Sequence, residues 1–228
     1  YYTPEAAYYP DEIKIKGNTG VYCMPLRGGY ISLAFNTDLI SPTEAPQTYN
    51  DLLDPRWKGK MSIGGTSTGM KWLGNTLEAM GQEYLEKLSR QEIRVHNISG
   101  PALATLIVAG EVPLSPTIHF SNAYTLKQKG ASIEWKSLEP VLTIIGRGGI
   151  TVWASHPHAA LLFLDYIHSK EGQQLVINEG LITLRKDMKS PELAIKENYL
   201  EAKYSTEEYQ KKYSEWENLM RRLFIMKR

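Results

Sequence analysis

Three stretches set hydroxyl and amide side chains where a strand gives way to a helix. They are Thr66-Ser67-Thr68-Gly69, Ser99-Gly100 ahead of Pro101, and Ser121-Asn122 just after His119-Phe120. A helix start leaves backbone N–H groups unpaired and carries partial positive charge, so an oxyanion can be held there without a lysine. Hydroxyls add donors, and Gly65 and Gly69 allow close backbone approach. The competing reading is that Thr66 or Ser67 merely caps its own helix. A phosphate loop is a poorer fit: Gly64 and Gly69 have the Walker A separation, but Met70 stands where its lysine belongs and Lys71 comes one residue late.

Other reactive residues group less well. His119 stands on a strand-to-helix turn and suits a ligand or a satisfied loop histidine equally. His156-Pro157-His158 sits at a helix start without acidic or cysteine company, which disfavours a metal clip. There is no G-x-S-x-G elbow, and Cys23 has no neighbouring histidine. Asp51 and Asp54 flank a turn, and the basic tail cluster Arg221, Arg222, Lys227 and Arg228 matches the cation preference of a helix C-terminus. No catalytic residue, metal site or cofactor is expected.

Strands are expected at 29–36, at 60–63 leading into the first hydroxyl turn, at 94–98, 112–118, 141–145 and 149–153. Helices are expected from Thr68 to Gly81 on Met70, Leu73, Leu77 and Met80, then a short one through Leu85 and Leu88. Further helices are expected from Ser99, from a Ser121 cap to Lys129, from 155–157 through Ile167, and over 170–178. From Ser205 the stripe Tyr209, Tyr213, Trp216, Met220 and Leu223 marks an amphipathic helix, with Ser205 and Glu208 at capping-box spacing. This alternation predicts an α/β fold with largely parallel pairing, in which all three hydroxyl-rich turns meet at the carboxyl edge of one sheet.

With 42% hydrophobic residues in 228, a sizeable core is affordable, and a net charge of +1 gives no bulk attraction to nucleic acid or anionic membrane. A single cysteine excludes an intrachain disulfide. No apolar run is long enough for a membrane helix. The chain opens on Tyr1 rather than Met, so a missing leader carries no information.

Four stretches together resemble a known family. APQTYNDLLDPRWKGKMSIG (45–64), LATLIVAGEVPLSP (103–116), TLKQKGASIEWKSLEP (125–140) and ASHPHAALLFLDYIHSKEGQQL (154–175) are similar to the solute-binding proteins of bacterial ABC importers, in the ferric-iron-binding-like group of the type II periplasmic binding fold. The resemblance implies an α/β protein of two hinged lobes with the first lobe incomplete here. Residues 1–35 would be a remnant of that lobe plus a crossing strand, 36–145 the ligand-contacting second lobe, 146–190 the return to the first, and 191–228 a helical tail. It implies periplasmic or extracellular placement, membrane-associated in a Gram-positive host, and delivery of cargo to an inner-membrane permease. An exposed lobe face leaves self-association open.

Carried over residue by residue, the resemblance puts ligand contacts at Thr66, Ser67, Thr68 and Gly69 and at Ser99 and Gly100; the third hydroxyl-bearing turn adds His119, Ser121 and Asn122 as candidates, with Tyr30 on the presumed crossing strand. Where ferric binders carry two adjacent tyrosines, this chain has Phe120-Ser121. Phenylalanine offers no oxygen, so a phosphonate, phosphate ester or carboxylate is the favoured cargo, with a metal–anion complex next. Two rival readings are a ferric transporter with other ligands and an enzyme of the same fold using His119 on a phosphorylated molecule.

Overall fold

The computed structural model describes residues 3–18, 20–190 and 206–226. The chain divides into two compact units: one of Tyr1–Gly29 with Thr143–Ala202, the other of Tyr30–Leu142 with Lys203–Arg228.

The sequence alternates as the α/β reading expects, but the pairing does not. Strand β2 (Gly20–Asn36) is the hub and most of its ladders are antiparallel. β1 (Ile15–Gly17) pairs it through Lys16 and Val21. β5 (Leu114–His119) pairs it through Ile31 and His119, and β6 (Ile133–Lys136) through Leu33 and Lys136. β7 (Leu142–Gly148) also joins β2. Among the described residues, parallel pairing is seen between β3 (Ser62–Gly64) and β4 (Arg94–His96) and at a bridge between Met61 and Leu114. The expectation of largely parallel pairing is therefore corrected. Element order alone does not report that one 17-residue strand collects neighbours of opposite direction.

In the second unit, α1 (Ser67–Ser89) follows β3, α2 (Gly100–Val108) follows β4 and α3 (Phe120–Gln128) follows β5. The core beneath α2 and α3 joins Leu103, Ala104, Ile107, Ile118, Ala123 and Ile133 to Ala34 of β2. Each such large aliphatic side chain contributes about 1.5–3 kcal/mol by leaving water. The halt expected at Gly81 is a kink: its φ of 79° breaks the helix, which resumes to Ser89. α6 (Thr206–Met220) packs on α1 and continues as a π-helical turn, Arg221–Ile225. That wider turn moves the buried stripe from the expected Leu223 to Phe224, after Trp216 and Met220. The proposed Ser205 cap lies outside the described residues.

In the first unit, α4 (Pro157–His168) and α5 (Lys170–Asn178) pack together, and Tyr9, Ile13, Met24, Ile145 and Leu184 form a small core. The strand expected at 149–153 is absent: Val152 and Trp153 are 88% and 89% exposed. Their strand-like composition has no ladder to join. α4 also leaves Leu162, Phe163 and Tyr166 exposed on one side.

Candidate functional site

The carboxyl ends of β3, β4 and β5 lie side by side within the second unit. Gly64 is in parallel register with His96, and its N–H donates to the Thr117 hydroxyl at 2.9 Å. Thr117 is buried and shares a further hydrogen bond with Ser115 at 3.0 Å. The His96 Nε2 stands 3.2 Å from the Ser62 hydroxyl, tying the start of β3 to the end of β4. Three strands so aligned deliver the starts of α1, α2 and α3 to one edge.

Glycines and asparagines close the gaps between those starts. A methyl group at Gly69 would lie 1.7 Å from the Gly64 carbonyl oxygen, so the first turn of α1 rests directly on the end of β3. A methyl at Gly65 would meet Asn97 Oδ1 at 2.0 Å, and one at Gly100 would stand 3.1 Å from Asn122 Nδ2. Asn97 thus lies over the α1 turn from the β4–α2 loop, and Asn122 reaches from α3 to the start of α2.

The capping question divides by residue. Ser99 is a true N-cap, accepting from the Ala102 N–H at 3.4 Å. Thr66 is the N-cap of α1 by position, yet its hydroxyl makes no capping bond. Among the described residues, the hydroxyls of Ser67, Thr68 and Ser121 and the amide of Asn122 likewise have no side-chain hydrogen bond. Ser67 is exposed, while Thr66, Thr68, Ser121 and Asn122 are half-buried. Their donors, with the first-turn N–H groups of the helices, form a set of neutral dipoles on adjoining turns, of a kind suited to an anion.

The expected Ser121 cap is corrected. α3 begins one residue earlier, at Phe120, with His119 as its N-cap and no side-chain capping bond. Phe120 is buried and drives this, stacking face to face on Tyr30 with centroids 4.4 Å apart. Ser121 therefore sits inside the first turn. Tyr30 is itself 3% exposed, and its hydroxyl accepts from Trp135 Nε1 at 3.0 Å. Trp135 in turn meets the Tyr124 ring edge-on at 6.0 Å. His119 is half-buried where β5 ends, opposite Ile31.

All ten sequence-selected residues thus fall in one unit, nine of them on the three turns, with Tyr30 in the packing beneath. Sequence reasoning missed Asn97, Thr117 and Trp135. Asn97, two residues before the Ser99 cap, was legible as a turn residue; the buried Thr117 hydroxyl carried no sequence signal. Among the described residues there is no group of three or more histidine, cysteine or acidic side chains able to hold a metal ion.

Comparison with known proteins is consistent with this architecture. The family described as "Bacterial extracellular solute-binding protein" matches residues 2–203. An uncharacterized protein of Haemophilus influenzae (strain ATCC 51907 / DSM 11121 / KW20 / Rd) is 25% identical over 188 residues, covering 75% of this chain; the chain spans about half, 51%, of that relative. Three solved structures share the fold. The periplasmic binding protein P5PA has TM-score 0.77 at 22% identity, over 95% of this chain and 74% of that one. AfuA from Actinobacillus pleuropneumoniae, with exogenous fructose-6-phosphate bound, has TM-score 0.76 at 22% identity, over 100% and 76%. Iron-bound HitA from Pseudomonas aeruginosa has TM-score 0.73 at 20% identity, over 97% and 74%.

Proposed function

The chain belongs to the bacterial extracellular solute-binding proteins, and from that premise we propose that it serves an ABC importer by capturing a small oxyanion at the edge formed by the starts of α1, α2 and α3. The favoured cargo is a phosphate ester, with phosphonate or carboxylate as chemically close variants. Its partners are that solute and a membrane permease, and its role is binding without catalysis.

The observation that carries this reading is the set of uncommitted donors on Thr66, Ser67, Thr68, Ser121 and Asn122, gathered on adjoining turns. Hydroxyls that only capped helices would be occupied, as Ser99 is. Neutral donors held by a rigid sheet edge bind an anion with little reorganisation. AfuA, of similar fold, was solved with a sugar phosphate, which favours the ester. A tyrosinate-type ferric site finds no support at Phe120, which is spent on the Tyr30 stack.

The test is a thermal-shift panel of fructose-6-phosphate, inorganic phosphate, methylphosphonate and citrate. A ligand at about 100 times its Kd stabilises by about 2.7 kcal/mol, which raises the melting temperature by several degrees. Ser67→Ala combined with Ser121→Ala is expected to reduce that shift by half or more. Absence of any shift across the panel overturns the anion reading. A visible absorbance band on ferric loading would replace it with iron.

A further inference from the structure

A second feature of the same unit shares no residue with the turns described above. Where α1 ends and α6 passes into its π-helical turn, an open cavity of about 850 Å³ is lined by Arg90, Glu92, Arg221, Arg222, Leu223 and Met226, among others. The oxyanion reading does not use it.

Two uncommon backbone features build this cavity. Glu92 has φ of 55°, the one non-glycine residue with positive φ among the described residues. The strain of that conformation is borne because its neighbours are fixed: Gln91 is buried, its carbonyl accepts from Gly59 N–H at 2.8 Å, and its side chain bonds the carbonyl of Leu53. Arg90 and Glu92 therefore flank a pinned residue. The second feature is the π turn, closed by the Met226 N–H donating to the Arg221 carbonyl at 2.7 Å. A π turn rotates less per residue than an α turn, which keeps adjacent Arg221 and Arg222 closer to one face and sets Met226 above Arg221. Buried Phe224 and Met220 anchor that turn.

The charges do not cancel. Glu92 is engaged by Lys58 at 3.0 Å, whereas Arg90, Arg221 and Arg222 make no ion pair among the described residues. A cation near a helix C-terminus is stabilised by the dipole, and that accounts for one or two of them as surface charges. It does not account for three guanidinium groups from two chain segments facing a common hollow with Leu223 and Met226 beside them.

We propose that this cavity docks an acidic, extended segment of a partner protein. The segment's carboxylates pair with the three arginines and an apolar side chain lies against Leu223 and Met226. A guanidinium fork matches a carboxylate with two parallel hydrogen bonds. Carboxylates spread along a chain can reach arginines on separate segments, which a single compact anion cannot do. A compact anion seated deep in the cavity would also face the negative end of the α1 dipole. The apolar residues give a peptide a contact that a free phosphate has no use for.

The test uses the 228-residue chain and a fluorescein-labelled Glu-Glu-Leu-Glu-Glu-Leu peptide, read by anisotropy at 25 mM NaCl. Saturable binding with Kd on the order of 10–100 µM is expected, weakening several-fold at 300 mM NaCl as screening shortens. Arg221→Gln with Arg222→Gln is expected to weaken it at least tenfold, and Arg90→Gln alone by about threefold. All three side chains are exposed, so the variants should keep the parent melting temperature. A variant replacing Met226 by Ser tests the apolar contact and should weaken binding about threefold. The proposal is overturned by no saturable binding, by unchanged affinity in the double arginine variant, or by equal binding of a Lys-Lys-Leu-Lys-Lys-Leu peptide. Competition by citrate at the peptide's own Kd also overturns it, in favour of a small-anion site. Ser67→Ala with Ser121→Ala should leave the peptide affinity unchanged, which separates this site from the cargo site.

Discussion

Gly69 has its Cα directed at the carbonyl oxygen of Gly64, with room for a hydrogen and for nothing larger. A Cβ at position 69 would stand 1.7 Å from that oxygen, and both atoms belong to backbone that has little freedom to move. The first turn of α1 and the last residue of β3 are thereby held in contact. Gly69→Ala is expected to cost about 3 kcal/mol, the upper part of the range for overpacking, because the obstacle is backbone. Gly65→Ala meets the end of the exposed Asn97 side chain, which can swing aside, and the half-buried Val95 methyl at 3.0 Å, which needs to give only by a few tenths of an ångström, and should cost about 1 kcal/mol. Urea denaturation of the two variants checks the contrast; equal losses would refute it.

Ser99 and Thr66 occupy the same formal position on consecutive helices but are expected to separate on mutation. Ser99 accepts a bond from its own helix, at a long 3.4 Å, so Ser99→Ala should cost about 0.5–1 kcal/mol of stability. Thr66 caps nothing, so Thr66→Ala should leave stability within about 0.5 kcal/mol. Its effect should instead fall on oxyanion affinity, measured by isothermal titration with the panel member giving the largest thermal shift. A large stability loss at Thr66 with unchanged affinity would identify it as a structural cap.

The turns were legible because their chemistry is local. Gly-Thr-Ser-Thr-Gly, Ser-Gly-Pro and the polar residues after His119 each mark a helix start from a few residues of sequence. Gly81 likewise signalled a break, and its positive φ confirms the reason. What sequence did not carry was non-local. Strand direction depends on β2 collecting distant partners, and Val152 and Trp153 have strand-like side chains without a neighbour. The start of α3 moved to Phe120 because a stack on Tyr30, 90 residues away in the chain, outweighed the capping preference of Ser121. Thr117 illustrates the same limit: its role is to accept from Gly64, on a strand more than 50 residues earlier.

The joint between α1 and α6 gives a third expectation. A methyl at Gly74 would lie 2.3 Å from the Trp216 ring, which is 2% exposed and has no room to withdraw. Alanine in a helix gains up to about 1 kcal/mol over glycine, whereas overpacking a core costs about 1–3 kcal/mol. With a rigid indole as the obstacle the clash wins, and Gly74→Ala should be net destabilising. Trp216→Ala opens a cavity at the same place and should cost about 3–5 kcal/mol. Limited proteolysis should then cut α6 faster in both variants; a Gly74→Ala protein more stable than its parent would contradict the packing.

Acid should act on the first unit through Asp187. Arg185, with a side chain 2% exposed, donates Nε to Asp187 Oδ1 at 2.9 Å and a terminal nitrogen to Oδ2 at 3.0 Å. It also bonds Glu5 and the His168 carbonyl, and its guanidinium lies 4.3 Å over the Tyr8 ring. The hydrogen bonds from Arg185 hold the Asp187 carboxyl at about 2, below the ordinary 3.8. A depressed carboxyl binds its proton less readily in the folded chain than in the unfolded one. Its contribution is therefore complete above about pH 4 and disappears as the pH falls through about 2. Asp187→Asn should remove that part of the acid dependence, flattening stability between pH 4 and pH 2 while lowering it at pH 7. Arg185→Met should cost about 1–3 kcal/mol at neutral pH, less than for a fully buried pair because Glu5 and Asp187 keep access to water. Urea midpoints taken at half-unit pH steps decide the matter: parallel curves for Asp187→Asn and its parent below pH 4 would show that Asp187 is not the group being titrated.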